Sequence, residues 1–158
     1  MCKPVKTTGG NGERLFERTF DASFKEVRAV LCGLIGCLRA RNYSEEEIGS
    51  VELVLAETLN NIVEHAYGED KGGKVVLTSD LTDRGLKFTI LDFGAAMPNG
   101  EPPLGMTADP TAETEDLAEG GFGWFLIREI ARDLEYSRVD NANQVTFRIA
   151  VGNVIQLN

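Results

Sequence analysis

The chain has 158 residues, with 16 Lys and Arg against 25 Asp and Glu, and a formal net charge of −9. This length fits one domain that buries a substantial core. The basic residues are scattered, so we expect no direct binding to nucleic acid, which needs clustered Lys and Arg to neutralise phosphates. The sequence has no apolar run of 18 residues and begins without an apolar signal stretch. We therefore expect a cytoplasmic protein that makes no membrane contact.

Polar, glycine-rich residues 1–13 predict a flexible arm that precedes a single domain over residues 14–158. Capping boxes at Ser23 and Ser44 each begin a helix, because the serine hydroxyl and a glutamate three residues later satisfy each other's backbone N–H groups. Gly68 is a natural end for the second helix. The elements predicted in chain order are a strand over residues 15–20, helices over 23–40 and 44–67, strands over 74–81 and 86–91, a helix over 122–131, and strands over 135–139 and 144–151.

Residues 92–121 follow the first hairpin and show neither a helical nor a strand period. They include four of the five prolines of the chain. A long irregular loop in a compact domain is usually a lid, a binding loop or a disordered segment. Because the helices cluster and the strands are mostly joined by hairpins, the order of elements predicts an α+β fold, a two-layer sandwich.

Three polar residues of the second helix, Glu57, Asn61 and His65, are spaced i, i+4, i+8 and predict one polar stripe. On its own such a stripe favours a solvated flank of the helix. The residue types also suit a site, because an asparagine oxygen on a rigid helix can bind magnesium. Glu57, one turn earlier, is a candidate general base.

Two further motifs lie downstream. Asp92 ends an apolar strand and can accept a hydrogen bond from an exocyclic amine, while Gly94 lets a flat ring approach the backbone closely. Gly121 and Gly123 free backbone amides to face an anion at the start of the last helix. In isolation, a turn aspartate and a helix-capping loop explain these residues equally well.

Taken together, the three motifs resemble the N box and the two glycine boxes of the Bergerat-fold (GHKL) ATP-binding superfamily: Glu57-x-x-x-Asn61-x-x-x-His65, Asp92-x-Gly94 and Gly121-x-Gly123. The chain is most similar to the small anti-sigma factor serine kinases of bacterial partner-switching systems, over roughly residues 20–151. This resemblance implies a mixed, mostly antiparallel sheet with helices on one face. It also implies ATP and Mg²⁺ as cofactors.

The resemblance further implies a role for each matching residue. Asn61 would bind the magnesium ion, and Glu57 would accept the proton of the attacking hydroxyl. Asp92 would bind the adenine amine, supported through a water molecule by Thr146 on the last strand.

The glycines and the histidine complete the implied site. Gly94 would lie under the adenine ring, and Gly121 and Gly123 would line the phosphates. His65 would have a nucleotide-pocket or structural role. Residues 95–120 would form an ATP lid, which contains no lysine or arginine.

The expected function is an ATP-dependent protein serine kinase that phosphorylates an anti-sigma factor antagonist, a small single-domain protein, on Ser or Thr and also sequesters a sigma factor. The alternative is a nucleotide-gated protein-binding module with little or no kinase activity. The catalytic domain of a histidine kinase fits less well, because the chain has no phosphoacceptor helix hairpin. Members of the family often dimerise through the sheet edge and first helix, and the apolar content of residues 27–38 is compatible with a homodimer.

Overall fold

Five strands form one sheet, and the helices pack on one of its faces. The computed structural model describes residues 12–68, 72–103 and 121–152. The elements are β1 (Gly12–Asp21), α1 (Phe24–Ala40), α2 (Glu45–Asn61), a π-helix (Ile62–Tyr67), β2 (Lys74–Thr82), β3 (Gly85–Asp92), a short 3₁₀ turn (Pro98–Gly100), α3 (Gly121–Ile130), β4 (Arg132–Val139) and β5 (Ala142–Ile149). Every element predicted from the sequence is present, and the predicted α+β fold is confirmed.

Some expectations concern residues near or beyond the described ranges. β1 begins at Gly12, so the last two residues of the predicted arm belong to the first strand instead. Residues 1–11 of that arm and residues 104–120 of the predicted lid lie outside the described residues. The single domain over residues 14–158 therefore stays a prediction. Within the described ranges, no helix is long and apolar enough to cross a membrane.

The strand order is β1-β2-β3-β5-β4, and each neighbouring pair is antiparallel. This corrects the expectation of a mixed sheet. β3 and β4 run in the same direction, but β5 lies between them, so the described strands form no parallel pair. The reversal from β4 to β5 uses Asp140 and Asn141, whose φ angles of 50° and 64° are those of a tight hairpin turn.

The sheet buries one face. Strand residues alternate, and every second side chain along β2, β3 and β5 is buried. The fully buried apolar side chains of this face are Val75, Leu77, Leu86, Phe88, Ile90, Val145, Phe147 and Ile149. They pack with Leu34 and Leu38 of α1 and with Leu55 of α2 in one core, as the hydrophobic effect favours.

The second helix changes geometry at its end. Its capping box is formed as predicted: the Glu47 N–H donates to the Ser44 hydroxyl (3.2 Å) and the Ser44 N–H donates to the Glu47 carboxylate (2.8 Å). The α-helix ends at Asn61, and the chain continues as a π-helix to Tyr67. Gly68, with φ of 70°, follows it. Because a π-helix bonds i→i+5, the turn that follows Asn61 is wider than the turns of α2.

Candidate functional site

A pocket of about 440 Å³ opens between the end of α2, the end of β3 and the start of α3. Its wall includes three of the residues selected from the sequence, namely Asn61, His65 and Asp92. The loop after β3 and the last hairpin complete the wall. The wall also includes Thr58, Ala66, Ala95, Met97, Trp124, Tyr136 and Asn143.

Asp92 is the buried carboxylate of the pocket, with a relative exposure of 2%. Its Oδ1 accepts hydrogen bonds from the Gly94 N–H (3.0 Å) and from Asn143 Nδ2 (2.8 Å). Its Oδ2 has no hydrogen-bond partner within the described part of the chain. Burial raises the pKa of Asp92, opposed by the hydrogen bonds from Asn143 and Gly94 and by the charge of Arg138. Among the described residues, Oδ2 of Asp92 is therefore an acceptor that a ligand in the pocket could use.

Asn143 supports this carboxylate from β5. The register pairs Asp92 with Asn143, so both side chains lie on the buried face. The Asn143 Oδ1 accepts hydrogen bonds from the Tyr136 hydroxyl (2.6 Å) and from Arg138 Nη1 (2.7 Å). Because two donors face Oδ1, the amide can only direct its N–H groups towards Asp92 and the loop.

Gly94 has a packing role that the sequence did not predict. A Cβ on this residue would lie 2.6 Å from the carbonyl carbon and 2.8 Å from the Cβ of Ala66, and closer still to the Ala66 oxygen. The next residue, Ala95, donates its N–H to that same oxygen at 2.7 Å. Gly94 therefore lets the loop after β3 lie directly on the π-helix.

Asn61 is the last residue of α2 and lines the pocket. Its Nδ2 is buried and has no hydrogen-bond partner among the described residues. A buried amide without a partner is uncommon in native proteins, so Asn61 is a candidate to bind a ligand, an ion or a water molecule. A half-turn of the amide group would present Oδ1 at the same position, so this residue fits an oxygen ligand of magnesium.

Glu57 lies beside the start of α3 and is not one of the pocket-lining residues. α3 begins at Gly121, and a Cβ on Gly123 would collide with Oε2 of Glu57 and lie 3.3 Å from its Cδ. The absence of a side chain at Gly123 thus makes room for the carboxylate. Gly121 and Gly123 both belong to the first turn, where backbone N–H groups have no partner within the helix. Trp124, the following residue, lines the pocket, so the Glu57–Gly123 contact is adjacent to it.

His65 belongs to the π-helix and lines the pocket, but its side chain is 66% exposed. Its Nε2 is 3.6 Å from a Glu64 carboxylate oxygen. His65 shares the pocket wall with Asn61, whereas Glu57 is not one of the lining residues.

The expectation for Thr146 is wrong. Thr146 pairs with Thr89, whereas Asp92 pairs with Asn143. Since successive side chains of a strand alternate between faces, Thr146 lies on the opposite face of the sheet from Asp92. The residue of β5 that contacts Asp92 is Asn143.

The site includes residues that the sequence did not single out. No role in the site was predicted for Asn143, which preceded the predicted last strand, or for Tyr136 and Arg138, although residues 135–138 resemble the anti-sigma factor kinases. Thr58 is 1% exposed, lines the pocket and donates its hydroxyl to the Val54 carbonyl (2.7 Å). The role of Asn143 follows only from the pairing of β5 with β3, which places Asn143 opposite Asp92.

The fold and the pocket define an ATPase-like α+β domain, and comparisons with known proteins identify its family. Residues 20–149 match the histidine kinase-like ATPase domain family. The chain belongs to this family. A crystal structure of the RsbU and RsbW domains of a Mycobacterium tuberculosis protein has the same fold, with a TM-score of 0.59 at 17% identity. The match covers 86% of this chain but only 32% of that longer one.

Similar proteins are named as serine kinases. The serine-protein kinase RsbW of Halalkalibacterium halodurans is 30% identical, over 75% of this chain and 73% of its own length. The Bacillus subtilis protein of the same name is 27% identical, over 86% and 84%. The serine/threonine-protein kinase BtrW of Bordetella bronchiseptica is 32% identical, over 61% and 66%. Within its family, the chain therefore groups with serine-protein kinases.

Proposed function

We propose that this chain is an ATP-dependent protein serine kinase of the partner-switching type. It phosphorylates an anti-sigma factor antagonist, a small single-domain protein, on Ser or Thr, and it sequesters a sigma factor in the cytoplasm. The observation that carries the proposal is that two groups of one pocket, Oδ2 of Asp92 and the buried Nδ2 of Asn61, have no hydrogen-bond partner among the residues that the structure describes. The names of the similar kinases support it.

The base of ATP fits the Asp92 end of the pocket. A carboxylate oxygen without a partner accepts a hydrogen bond from an amine, and the exocyclic amine of adenine is such a donor. The Asn143 network holds this carboxylate in place. In this assignment Gly94 contributes by letting the loop after β3 lie close to the π-helix, and not by contacting the adenine ring.

The phosphates fit the other end of the pocket, near the first turn of α3. None of its described lining residues is a lysine or arginine, so the backbone N–H groups of that turn would have to face the phosphate oxygens. Asn61 would hold Mg²⁺, which offsets the negative charge of the phosphates. Gly121 and Gly123 keep the turn free of side chains.

Glu57 is the proposed base. It would accept the proton of the substrate hydroxyl while that oxygen forms a bond to the γ-phosphorus and the bond to the leaving ADP breaks. The Glu57 carboxylate makes no hydrogen bond or ion pair within the described residues, so it is free to accept a proton. General base catalysis of this kind contributes about 10²–10⁴-fold, and the rest of the acceleration comes from positioning and electrostatics.

The test is transfer of labelled γ-phosphate to a purified antagonist, together with calorimetry of ADP and Mg²⁺ binding. In Glu57→Gln we expect the transfer rate to fall by at least about 100-fold, with ADP affinity within about twofold of the parent chain. Glu52→Gln, an exposed substitution on the same helix, is the matched control and should transfer normally. Full transfer by Glu57→Gln would show that another group takes the proton.

A nucleotide-gated protein-binding module is the second candidate. It is favoured by one observation: Glu57 lies against Gly123 and not in the pocket wall. A chain that binds ADP and Mg²⁺ and retains its partner, but transfers no phosphate to it, would support this candidate.

A homodimer is also part of the proposal, since β1 is an edge strand of the described sheet. Sedimentation would test whether the chain forms one.

A further inference from the structure

Asn143 makes a hydrogen bond with every polar atom of its side chain, although it is 2% exposed. Nδ2 donates to Asp92 Oδ1 at 2.8 Å, to the Ala95 carbonyl at 3.0 Å and to the Gly94 carbonyl at 3.3 Å. Oδ1 accepts from Tyr136 and Arg138. A half-turn of this amide would set Oδ1 against three acceptors, so the network allows only one orientation.

This orientation decides which oxygen of Asp92 meets a ligand. Both donors to the carboxylate, Asn143 Nδ2 and the Gly94 N–H, end on Oδ1. Oδ2 is left as an acceptor for a ligand in the pocket. The donors also stabilise the ionised form, which burial alone disfavours.

We propose that Asn143, held by Tyr136 and Arg138, is a positioning residue that makes the pocket select a 6-amino purine over a 6-oxo purine. The inference rests on the proposed nucleotide site and goes beyond it in assigning base selectivity to a residue outside the three family boxes. Asp92 remains the group that touches the base.

The selectivity follows from the chemistry at position 6 of the purine. An amino group donates to an ionised carboxylate, whereas a carbonyl oxygen is itself an acceptor and repels it. A protonated Asp92 would carry a hydroxyl that can donate to that carbonyl, so loss of ionisation would reverse the preference. A binding site discriminates strongly against an analogue that leaves one of the site's buried polar groups without a hydrogen bond.

Asn143 is one of several groups that influence the ionisation of Asp92. Burial raises the pKa of Asp92, and this is opposed by the hydrogen bonds from Asn143 and the Gly94 N–H and by the charge of Arg138 of β4. Tyr67 of the π-helix also faces Asp92: burial raises the pKa of the Tyr67 hydroxyl, the hydrogen bond from the Phe93 N–H opposes this, and the charge of Asp92 adds to the rise. His65 of the π-helix shares the pocket wall.

The experiment compares ADP, which has an amino group at position 6 and an unprotonated N1, with IDP, which has an oxo group at position 6 and a hydrogen on N1. Calorimetry on the full chain gives both affinities between pH 5 and pH 8. For Asn143→Ala we expect ADP affinity to fall about tenfold and the preference for ADP over IDP to shrink by at least as much. We also expect the pH below which ADP affinity declines to move upwards, because a donor to the ionised carboxylate has been removed.

A second pair of substitutions tests the network without removing Asn143. Tyr136→Phe combined with Arg138→Ala removes both donors to Asn143 Oδ1 and should reduce the ADP preference in the same direction. Ser137→Ala, on the exposed strand position between them, and Gln144→Ala, exposed next to Asn143, are matched controls that should keep it.

The outcomes separate this inference from the proposed function. If the parent chain binds neither ADP nor IDP, the proposed nucleotide site itself is wrong. If the parent prefers ADP and Asn143→Ala keeps both the preference and the pH profile, the role of Asn143 is refuted. A uniform loss of affinity for both nucleotides, with an unchanged pH profile, would also refute it, since that result indicates a purely structural residue.

Discussion

Replacing Gly94 with alanine tests how closely the loop after β3 packs on the π-helix. The added Cβ would lie 2.6 Å from the carbonyl carbon of Ala66. Ordinary carbon–carbon contacts are about 3.5 Å or longer, so the two segments must separate by about 0.9 Å. The atoms in the way are two backbone atoms and the Cβ of Ala66, none of which can rotate aside.

The cost has two parts. Overpacking of a close contact costs about 1–3 kcal/mol. The separation also weakens the hydrogen bond from the Ala95 N–H to the Ala66 carbonyl, now 2.7 Å, which is worth about 1 kcal/mol. Alanine restricts the unfolded chain and returns about 0.4–1 kcal/mol. We therefore expect Gly94→Ala to lower the free energy of unfolding by about 1–3 kcal/mol.

Urea denaturation measures this change as a lower midpoint at an unchanged slope. ADP affinity should fall as well, because the Gly94 N–H donates to Asp92 Oδ1. Gly49→Ala is the matched control: a Cβ there has nothing within 4 Å, and the helix should gain up to about 1 kcal/mol. A Gly94→Ala chain within about 0.5 kcal/mol of the parent, with equal ADP affinity, would refute the packing role.

Two further predictions concern buried polar groups. Ser79 is fully buried and its hydroxyl has no partner among the described residues, so Ser79→Ala should raise the free energy of unfolding by about 1 kcal/mol; a lower urea midpoint would contradict this. Burial raises the pKa of Asp92 in the folded protein. The contribution of Asp92 to the free energy of unfolding is therefore greatest below the unfolded pKa of about 3.9, and it is lost as pH rises through the folded pKa. The stability of Asp92→Asn relative to the parent should therefore be greatest at neutral pH and decrease on acidification, as urea denaturation at several pH values would measure.

The local signals of the sequence predicted the elements well, because each depends on neighbouring residues. The capping box at Ser44 and the apolar period of α2 are examples. The strand order could not be predicted in this way, since the insertion of β5 between β3 and β4 depends on distant pairing. Thr146 was placed on the wrong face for the same reason: the face of a strand residue follows from its register, and a shift of one residue inverts it.

The site, like the fold, could be predicted from the sequence only in part. Asn61 and Asp92 were identified because they match motifs of the family, since a polar helix stripe and an aspartate at a strand end do not by themselves define a site. Asn143 was not, because an asparagine next to a tight turn is ordinary, and its role appears only once β5 pairs with β3. The π-helix was also missed: Ile62–Tyr67 continues the helical pattern, and nothing in its composition indicates i→i+5 bonding.

The π-helix and the Asn143 network act on the same short loop from opposite sides. Ala66 accepts the Ala95 N–H from one side. On the other side, Asn143 donates to the Ala95 carbonyl, and Tyr136 accepts the Met97 N–H at 3.1 Å. The helix that carries Asn61 and the strands that hold Asp92 are thus joined through the first residues after β3. A ligand that engages both Asn61 and Asp92 would consequently restrain this loop, and a substitution that loosens the loop should weaken binding at both ends of the pocket.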